Sequence, residues 1–180
     1  VAEVAAELSS LNAKLKFCTP HHWPELAAAG EHQHGNASLA YTAISLLAEL
    51  QLIDAEKIGL ARQAISACNI PARLQKISIG EASIWLDAAH NRHAVEALLP
   101  SLKSLADPFD AILVFTREDR SLQDCLPMLA PFAQALVSHS EYDEPLAALE
   151  AQLTKKPHGS FLVLGSFITV AEILRMQQSG

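Results

Sequence analysis

Apolar positions recur along this chain with two different periods, and the change falls near residue 70. Over residues 1–11, Val1, Val4, Ala5 and Leu8 follow i, i+3, i+4, i+7, which predicts the end of an amphipathic helix. A short strand-like run, Leu15–Phe17, leads into Thr19-Pro20-His21-His22-Trp23-Pro24, where two prolines forbid regular structure. After Gly35 the helical period returns, with Leu39, Ala43, Leu46, Leu47 and Leu50 on one face. A second helix is predicted from about Ala55 to Cys68, with Ile58, Ala61, Ile65 and Cys68 inward and Asp54 as N-cap.

Beyond Ile70-Pro71 the pattern becomes short apolar runs separated by helical stretches. The runs are Leu74–Ile79, Ser83–Asp87, Ala111–Phe115, Ala135–Ser138 and Ser160–Leu164. Gly80-Glu81 joins the first two, which predicts an antiparallel hairpin at one sheet edge. Helical periods follow: Val95, Leu98, Leu99 and Leu102; Leu122, Leu126, Leu129 and Ala133; Leu146, Leu149 and Leu153; and, after Gly165, Phe167, Val170, Ala171 and Leu174. Strands alternating with helices predict an α/β fold with an open, mostly parallel sheet and helices on both faces. A mainly helical segment precedes it, so the expected division is residues 1–70 and 71–180.

Composition narrows the classes of partner. Half of the 180 residues are hydrophobic and only 18% are charged, the opposite of a disordered chain. Acids outnumber bases, 20 to 13, for a net charge of −7, and no basic patch stands out, so neither nucleic acid nor an anionic membrane is an expected partner. Polar or charged residues interrupt every apolar stretch before the roughly 18 positions of a membrane span. Glu3 and Glu7 stand where a secretory signal needs a basic residue and an unbroken apolar run. Cys18, Cys68 and Cys125 match neither a disulfide framework nor a zinc site, which points to a reduced, cytoplasmic compartment. The chain begins at Val1 without a methionine, as a piece of a longer polypeptide does.

The glycines form neither GxGxxG nor GxxxxGK[ST], which excludes a self-sufficient P-loop ATPase within this chain. Asp87-Ala88-Ala89-His90-Asn91 follows an apolar strand and precedes a helix, the place where open α/β sheets bind ligands. There Asp87 can accept from ribose hydroxyls and His90 can approach a phosphate; alternatively Asn91 caps the helix and Asp87 satisfies loop amides. Arg73, at the junction of the two segments, suits phosphate clamping or a surface ion pair. Asn36 has the donor–acceptor edge that matches adenine, or it caps the next helix. Gly165-Ser166-Phe167 opens the last helix, where backbone amides and the Ser166 hydroxyl can receive an anion, or Gly165 simply permits a tight turn. Thr116–Arg120, which includes Asp119, is a charged loop after a strand. Histidines at 21/22, 32/34 and 90/93 lack a carboxylate or cysteine at ligand spacing, so no metal site is expected and they read as solvated or capping groups.

Taken in order, four short motifs resemble the folylpolyglutamate synthase/dihydrofolate synthase branch of the Mur ligase family. They are His32-Gln33-His34-Gly35-Asn36-Ala37-Ser38-Leu39-Ala40, Pro71-Ala72-Arg73-Leu74-Gln75, Asp87-Ala88-Ala89-His90-Asn91 and Gly165-Ser166-Phe167-Ile168-Thr169-Val170-Ala171-Glu172. The resemblance implies that residues 1–70 are the tail of a central ATP-binding domain and 71–180 a Rossmann-like C-terminal domain. It implies a ligase that uses ATP to activate the carboxylate of a folate or dihydropteroate as an acyl phosphate, which the amine of L-glutamate then attacks. Asn36 is then expected at adenine, Asp87 at ribose, Arg73 at the phosphates, His90 facing the reactive phosphate, and Ser166 and Asp119 on the substrate side. The ligands of Mg2+ are expected in a P-loop portion outside this chain, without which the chain is expected to be inactive. The family usually has glycine at Ala72 and proline at Arg92, and its DKD-like loop is reduced here to Thr116–Arg120. Two other readings stay open: a standalone nucleotide-binding or regulatory module, and the C-terminal domain of a peptidoglycan-precursor ligase.

Overall fold

The computed structural model describes residues 16–179 except Ala29, Ala106 and Glu118, so the helix expected over 1–11 and Leu15 lie outside the described residues. Contacts divide the chain into two compact units. One is Val1–Leu26 with His34–Ala67, and the other is Ala27–Gln33 with Cys68–Gly180.

The first unit is built on helices α1 (Glu31–Glu49) and α2 (Lys57–Ala67). Its buried centre is Trp23, only 1% exposed, in the proline-bounded loop. The Trp23 indole N–H and the His21 amide both donate to Ser38 Oγ, at 3.0 and 2.9 Å, and Ser38 donates to the His34 carbonyl. Tyr41 meets His21 and Trp23 edge-on, and the Arg62 guanidinium lies 4.9 Å from the Trp23 ring centroid. A cation and three rings thus pin the loop to the helices.

On α2 the expected inward residues Ile58, Ala61 and Ile65 are half-buried while Cys68 is exposed, and much of the face shared along α1 is exposed. Leu39, Leu47 and Leu50 are exposed, and α2 has no buried residue. Periodicity identifies side chains that share a face, but it does not supply a layer to cover them. Helix α1 also begins before Gly35, because Gly30 at φ +106 turns the chain and accepts from the Gln33 amide. Asn36 is therefore inside the helix rather than its cap. Asp54 lies three residues before α2 and pairs with Lys57.

In the second unit, β1 (Gln75–Ile79) and β2 (Ala82–Asp87) form the expected hairpin, Ile77 opposite Ile84. Gly80 supplies φ +57 at the turn. Strands β3 (Ala111–Val114), β4 (Leu136–Ser138) and β5 (Ser160–Leu164) complete a sheet in the order β1-β2-β5-β3-β4, parallel throughout except for β1. Along β5, Phe161 and Val163 enter one core and Leu162 and Leu164 the other. Helix α3 (Arg92–Lys103) and the short α4 (Leu126–Leu129) cover the Leu162 face, and α5 (Pro145–Lys155) and α6 (Phe167–Ser179) cover the Phe161 face. The expected mostly parallel sheet with helices on both faces is what forms.

Three local expectations fail. Leu122–Ala133 is not one helix; Pro127 and Pro131 divide it into 3-10 turns on either side of α4. Leu74 takes φ +46, so β1 opens at Gln75. Phe167 is 51% exposed, and the inward face of α6 is Val170 and Ile173. At the amino end of the sheet, Asp110 accepts from Lys156 Nζ at 2.6 Å and from the Ser160 amide at 2.8 Å. These contacts hold the Asp110 carboxyl below its ordinary value, the lysine contributing most.

Gly165, at φ +133, packs its α-carbon against the Phe115 backbone; a Cβ there would lie 2.2 Å from the Phe115 carbonyl oxygen. Gly165→Ala is expected to destabilise the second unit by on the order of 3 kcal/mol or more, read from urea unfolding by circular dichroism.

Candidate functional site

Strands β2 and β5 lie side by side and parallel, with Asp87 opposite Leu164. The chain leaves β2 for α3 on one face of the sheet and leaves β5 for α6 on the other. In open α/β sheets such a divergence is where ligands bind, at the carboxyl ends of the strands. Asn91 caps α3 by accepting from the Ala94 amide at 2.9 Å, so the bland reading of Asn91 is correct.

Asp87 is only 4% exposed, and both of its oxygens are engaged. Oδ1 accepts from the Ala89 amide and Oδ2 from the Leu74 amide, each at 2.8 Å. The Ala88 amide donates back to the Ala72 carbonyl at 2.9 Å, and Gln75 Oε1 accepts from the Ala72 amide. These bonds close a turn in which Ala72 and Leu74 both adopt left-handed backbone, φ +62 and +46. Arg73 is the residue between them. A glycine is the usual occupant of such a conformation, and the side chain of Ala72 is tolerated because only a methyl must fit.

The turn presents Arg73 half-buried at the mouth, with its guanidinium 5.4 Å from the Phe167 ring centroid. His32, which the sequence leaves as a solvated or capping group, belongs to this unit and faces the same charges. Gln33 Nε2 lies 2.8 Å from His32 Nε2, so the amide donates and the neutral ring carries its proton on Nδ1. That Nδ1 is closed off from solvent without a well-formed hydrogen bond. Burial lowers the His32 pKa; Asp87 opposes the shift and Arg73 adds to it. Burial likewise raises the Asp87 pKa, against the two amides, Arg73 and His32. No spacing rule could have found His32, because the contact joins the start of α1 to a turn some forty positions away.

The other candidates separate. His90 is half-buried at the same mouth, Nδ1 2.9 Å from the Ala88 carbonyl. The Ser166 hydroxyl accepts from the Thr169 amide and lies 2.9 Å from Thr169 Oγ1, which donates to the Phe115 carbonyl. It therefore caps α6 from inside rather than facing outward as a free donor. Asp119 is exposed and pairs with Arg117 at 3.2 Å; Arg117, but not Asp119, lines a cleft of about 530 Å³ beyond β3 and β4. Asn36 stands exposed on α1, within the first unit. Among the described residues no three His, Cys, Asp or Glu side chains gather. No helix among them is long and apolar enough to cross a membrane.

No protein-family model matches the chain, and no curated protein does. Solved structures match it over nearly its whole length. A structure of FPGS in complex with AMPPCP and folate aligns with a TM-score of 0.74 at 22% identity, over 99% of this chain and 50% of that one. A folylpolyglutamate synthetase from Lactobacillus casei aligns with a TM-score of 0.69 at 20% identity, over 99% and 51%. E. coli FolC in complex with DHPP and ADP aligns with a TM-score of 0.59 at 24% identity, over 80% and 39%. The chain thus spans about half the length of the first two and has the fold of that half.

Two expectations follow from the site. At Ala72, relief of left-handed strain is offset by the loss of a buried methyl and by a more flexible unfolded chain. Ala72→Gly is therefore expected to change stability by less than about 1 kcal/mol, whereas Ala72→Val costs on the order of 3 kcal/mol, both measured by urea unfolding. For His32, whose pKa is depressed on folding, the unfolded chain takes up its proton first as pH falls. Its contribution to stability is complete above about pH 6.5 and is lost as pH drops below that through the folded value. Asp87, with a raised pKa, has the opposite slope: its contribution is complete below about pH 3.8 and is lost as pH rises through the folded value. Unfolding free energy measured against pH is expected to fall more steeply below 6.5 in the native chain than in His32→Gln.

Proposed function

We propose that the chain is the C-terminal portion of an ATP-dependent ligase of the folylpolyglutamate synthase/dihydrofolate synthase kind, acting in the cytoplasm. In this reading residues 1–70 are the remnant of the central ATP-binding domain and 71–180 the Rossmann-like ligase domain. The observation that carries it is the Asp87–Arg73 turn, lying at the divergence of β2 and β5 in a fold shared with FPGS and FolC. The solved relatives hold AMPPCP, ADP and folate, which supports ATP and a folate-type acid as ligands here.

The residues suit those ligands. Asp87 keeps unused lone pairs on oxygens already oriented by two amides, which fits the paired hydroxyls of ribose. Arg73 brings a permanent charge with a planar set of donors to the phosphates. Asn36 takes the adenine edge, and His90, held through Nδ1, turns Nε2 toward the transferred phosphoryl group. Ser166 holds the first turn of α6 beside the substrate, and Asp119 lines the glutamate side with its loop.

In the first step a carboxylate oxygen of dihydropteroate or folate forms a bond to the γ-phosphorus of ATP as the bond to ADP breaks. The amine of L-glutamate then attacks the acyl carbon; phosphate leaves, a proton is lost from nitrogen, and an amide remains. Arg73 stabilises charge on the transferring group, the kind of electrostatic effect that dominates phosphoryl transfer. In this reading the residues that would hold Mg2+ belong to the P-loop portion, as the family resemblance implies.

The test is to sequence upstream of the Val1 codon and express the complete reading frame. A P-loop segment in frame, with ADP release that requires both the folate-type acid and glutamate, supports the reading. Arg73→Ala is expected to lower turnover about 100-fold, and Asp87→Ala to raise KM for ATP about 10-fold. A reading frame with no P-loop, or nucleotide affinity unmoved by both variants, overturns it.

A further inference from the structure

Phe167 is one of several exposed apolar side chains, and what sets it apart is its neighbour. It opens α6 directly after the Ser166 cap, yet it is 51% exposed and belongs to neither apolar core. The hydrophobic effect therefore does not account for an aromatic ring here. What the ring does contact is the guanidinium of Arg73, 5.4 Å from its centroid. Among the described residues no ion pair engages Arg73, although the chain carries an excess of carboxylates.

Both partners stand on rigid supports that are independent of one another. Arg73 is fixed at its backbone by the Asp87 and Gln75 bonds to the turn. Phe167 is fixed by Gly165 packed on Phe115 and by Ser166 and Thr169 bonded through to the Phe115 carbonyl. What these bonds leave free is the long Arg73 side chain, with several torsions between its Cα and its charge. A ring under the guanidinium removes much of that freedom. It does so without consuming an N–H donor and without cancelling the charge, as a carboxylate would do on both counts.

We propose that Phe167 is a positioning residue, whose ring is the platform that aims the Arg73 guanidinium across the mouth at an anionic group of the nucleotide. This rests on the ligase reading for the identity of the anion, but the stack itself does not. Phe167 acts through Arg73 and touches no reacting atom.

The experiment compares Phe167→Leu, Phe167→Tyr and Arg73→Ala in the complete reading-frame product, with ADP as the titrated probe and steady-state kinetics in ATP. Phe167→Leu keeps an apolar side chain without a π face and is expected to weaken ADP binding and raise KM for ATP about 3-fold to 5-fold. Phe167→Tyr restores both to within about 2-fold, and the urea midpoints of the two variants match the parent because the side chain is exposed. In the 180-residue chain, the Arg73 Nε–H resonance is expected to carry an upfield ring-current shift that Phe167→Leu abolishes and Phe167→Tyr keeps.

If Phe167→Leu binds ADP like the parent while Arg73→Ala does not, the platform is refuted and the ligase reading stands. Equal losses in Phe167→Leu and Phe167→Tyr refute the role of the ring face. If Arg73→Ala itself leaves ADP affinity unchanged, the nucleotide reading fails, and the ring-current shift alone then decides whether the stack exists.

Discussion

The buried carboxylate of Asp87 is the constraint on which the mouth of the sheet depends. Its oxygens accept one amide from the loop it begins and one from a turn thirteen residues earlier in the chain. Hydrogen bonds to a charged group contribute roughly 1.5–3 kcal/mol each, while two left-handed non-glycine residues cost about 1–2 kcal/mol each. The two bonds act against the strain of the turn, and the burial of the carboxylate takes back part of what they contribute. A side chain that reads as a ligand-binding group is also the reason that Arg73 has a defined place. Removing it takes away a contact and disturbs the frame that presents the neighbouring one.

The two ends of the sheet use aspartate in opposite ways. Asp110, at the amino ends of the strands, is paired with Lys156 and bonded to Ser160, and its pKa is held low. This is an ordinary fastening, which gains from being charged. Asp87, at the carboxyl ends, is raised by burial despite its amides and the nearby Arg73. A carboxylate kept under that tension has more to gain from a further donor than one already neutralised by a lysine. The same asymmetry separates the cations: Lys156 is spent on structure, and Arg73 rests on an aromatic face with its donors unengaged by any ion pair among the described residues.

How far the sequence could be read differs between the units. In the second, short apolar strands and helices of regular period appeared where expected, because each is packed by a layer from the same segment of chain. Errors arose where a local breaker outweighed the period, as Pro127 and Pro131 did between Leu122 and Ala133. In the first unit the period again identified faces, but Leu39, Leu47 and Leu50 are exposed. Helix α1 was misplaced at its start because Gly30, rather than Gly35, carries the turn. Both ambiguous roles at the second unit's mouth resolved toward the structural one, with Asn91 and Ser166 serving as caps. For Asp87 the structural role is present as well, in its bonds to the Leu74 and Ala89 amides.

By itself the sequence determined the α/β class, the edge hairpin, the parallel strands and the order in which polar groups arrive at the strand ends. These follow from side-chain period, from glycine at Gly80 and from the chemistry of residues adjacent in the chain. Only the tertiary structure decided that Ala72 and Leu74 are left-handed, that His32 shares the electrostatics of Asp87 and Arg73, and that Phe167 faces a guanidinium instead of the core. Each of these is a relation between residues far apart in sequence. No local pattern encodes such a relation, because its energy comes from partners that meet only when the sheet has formed.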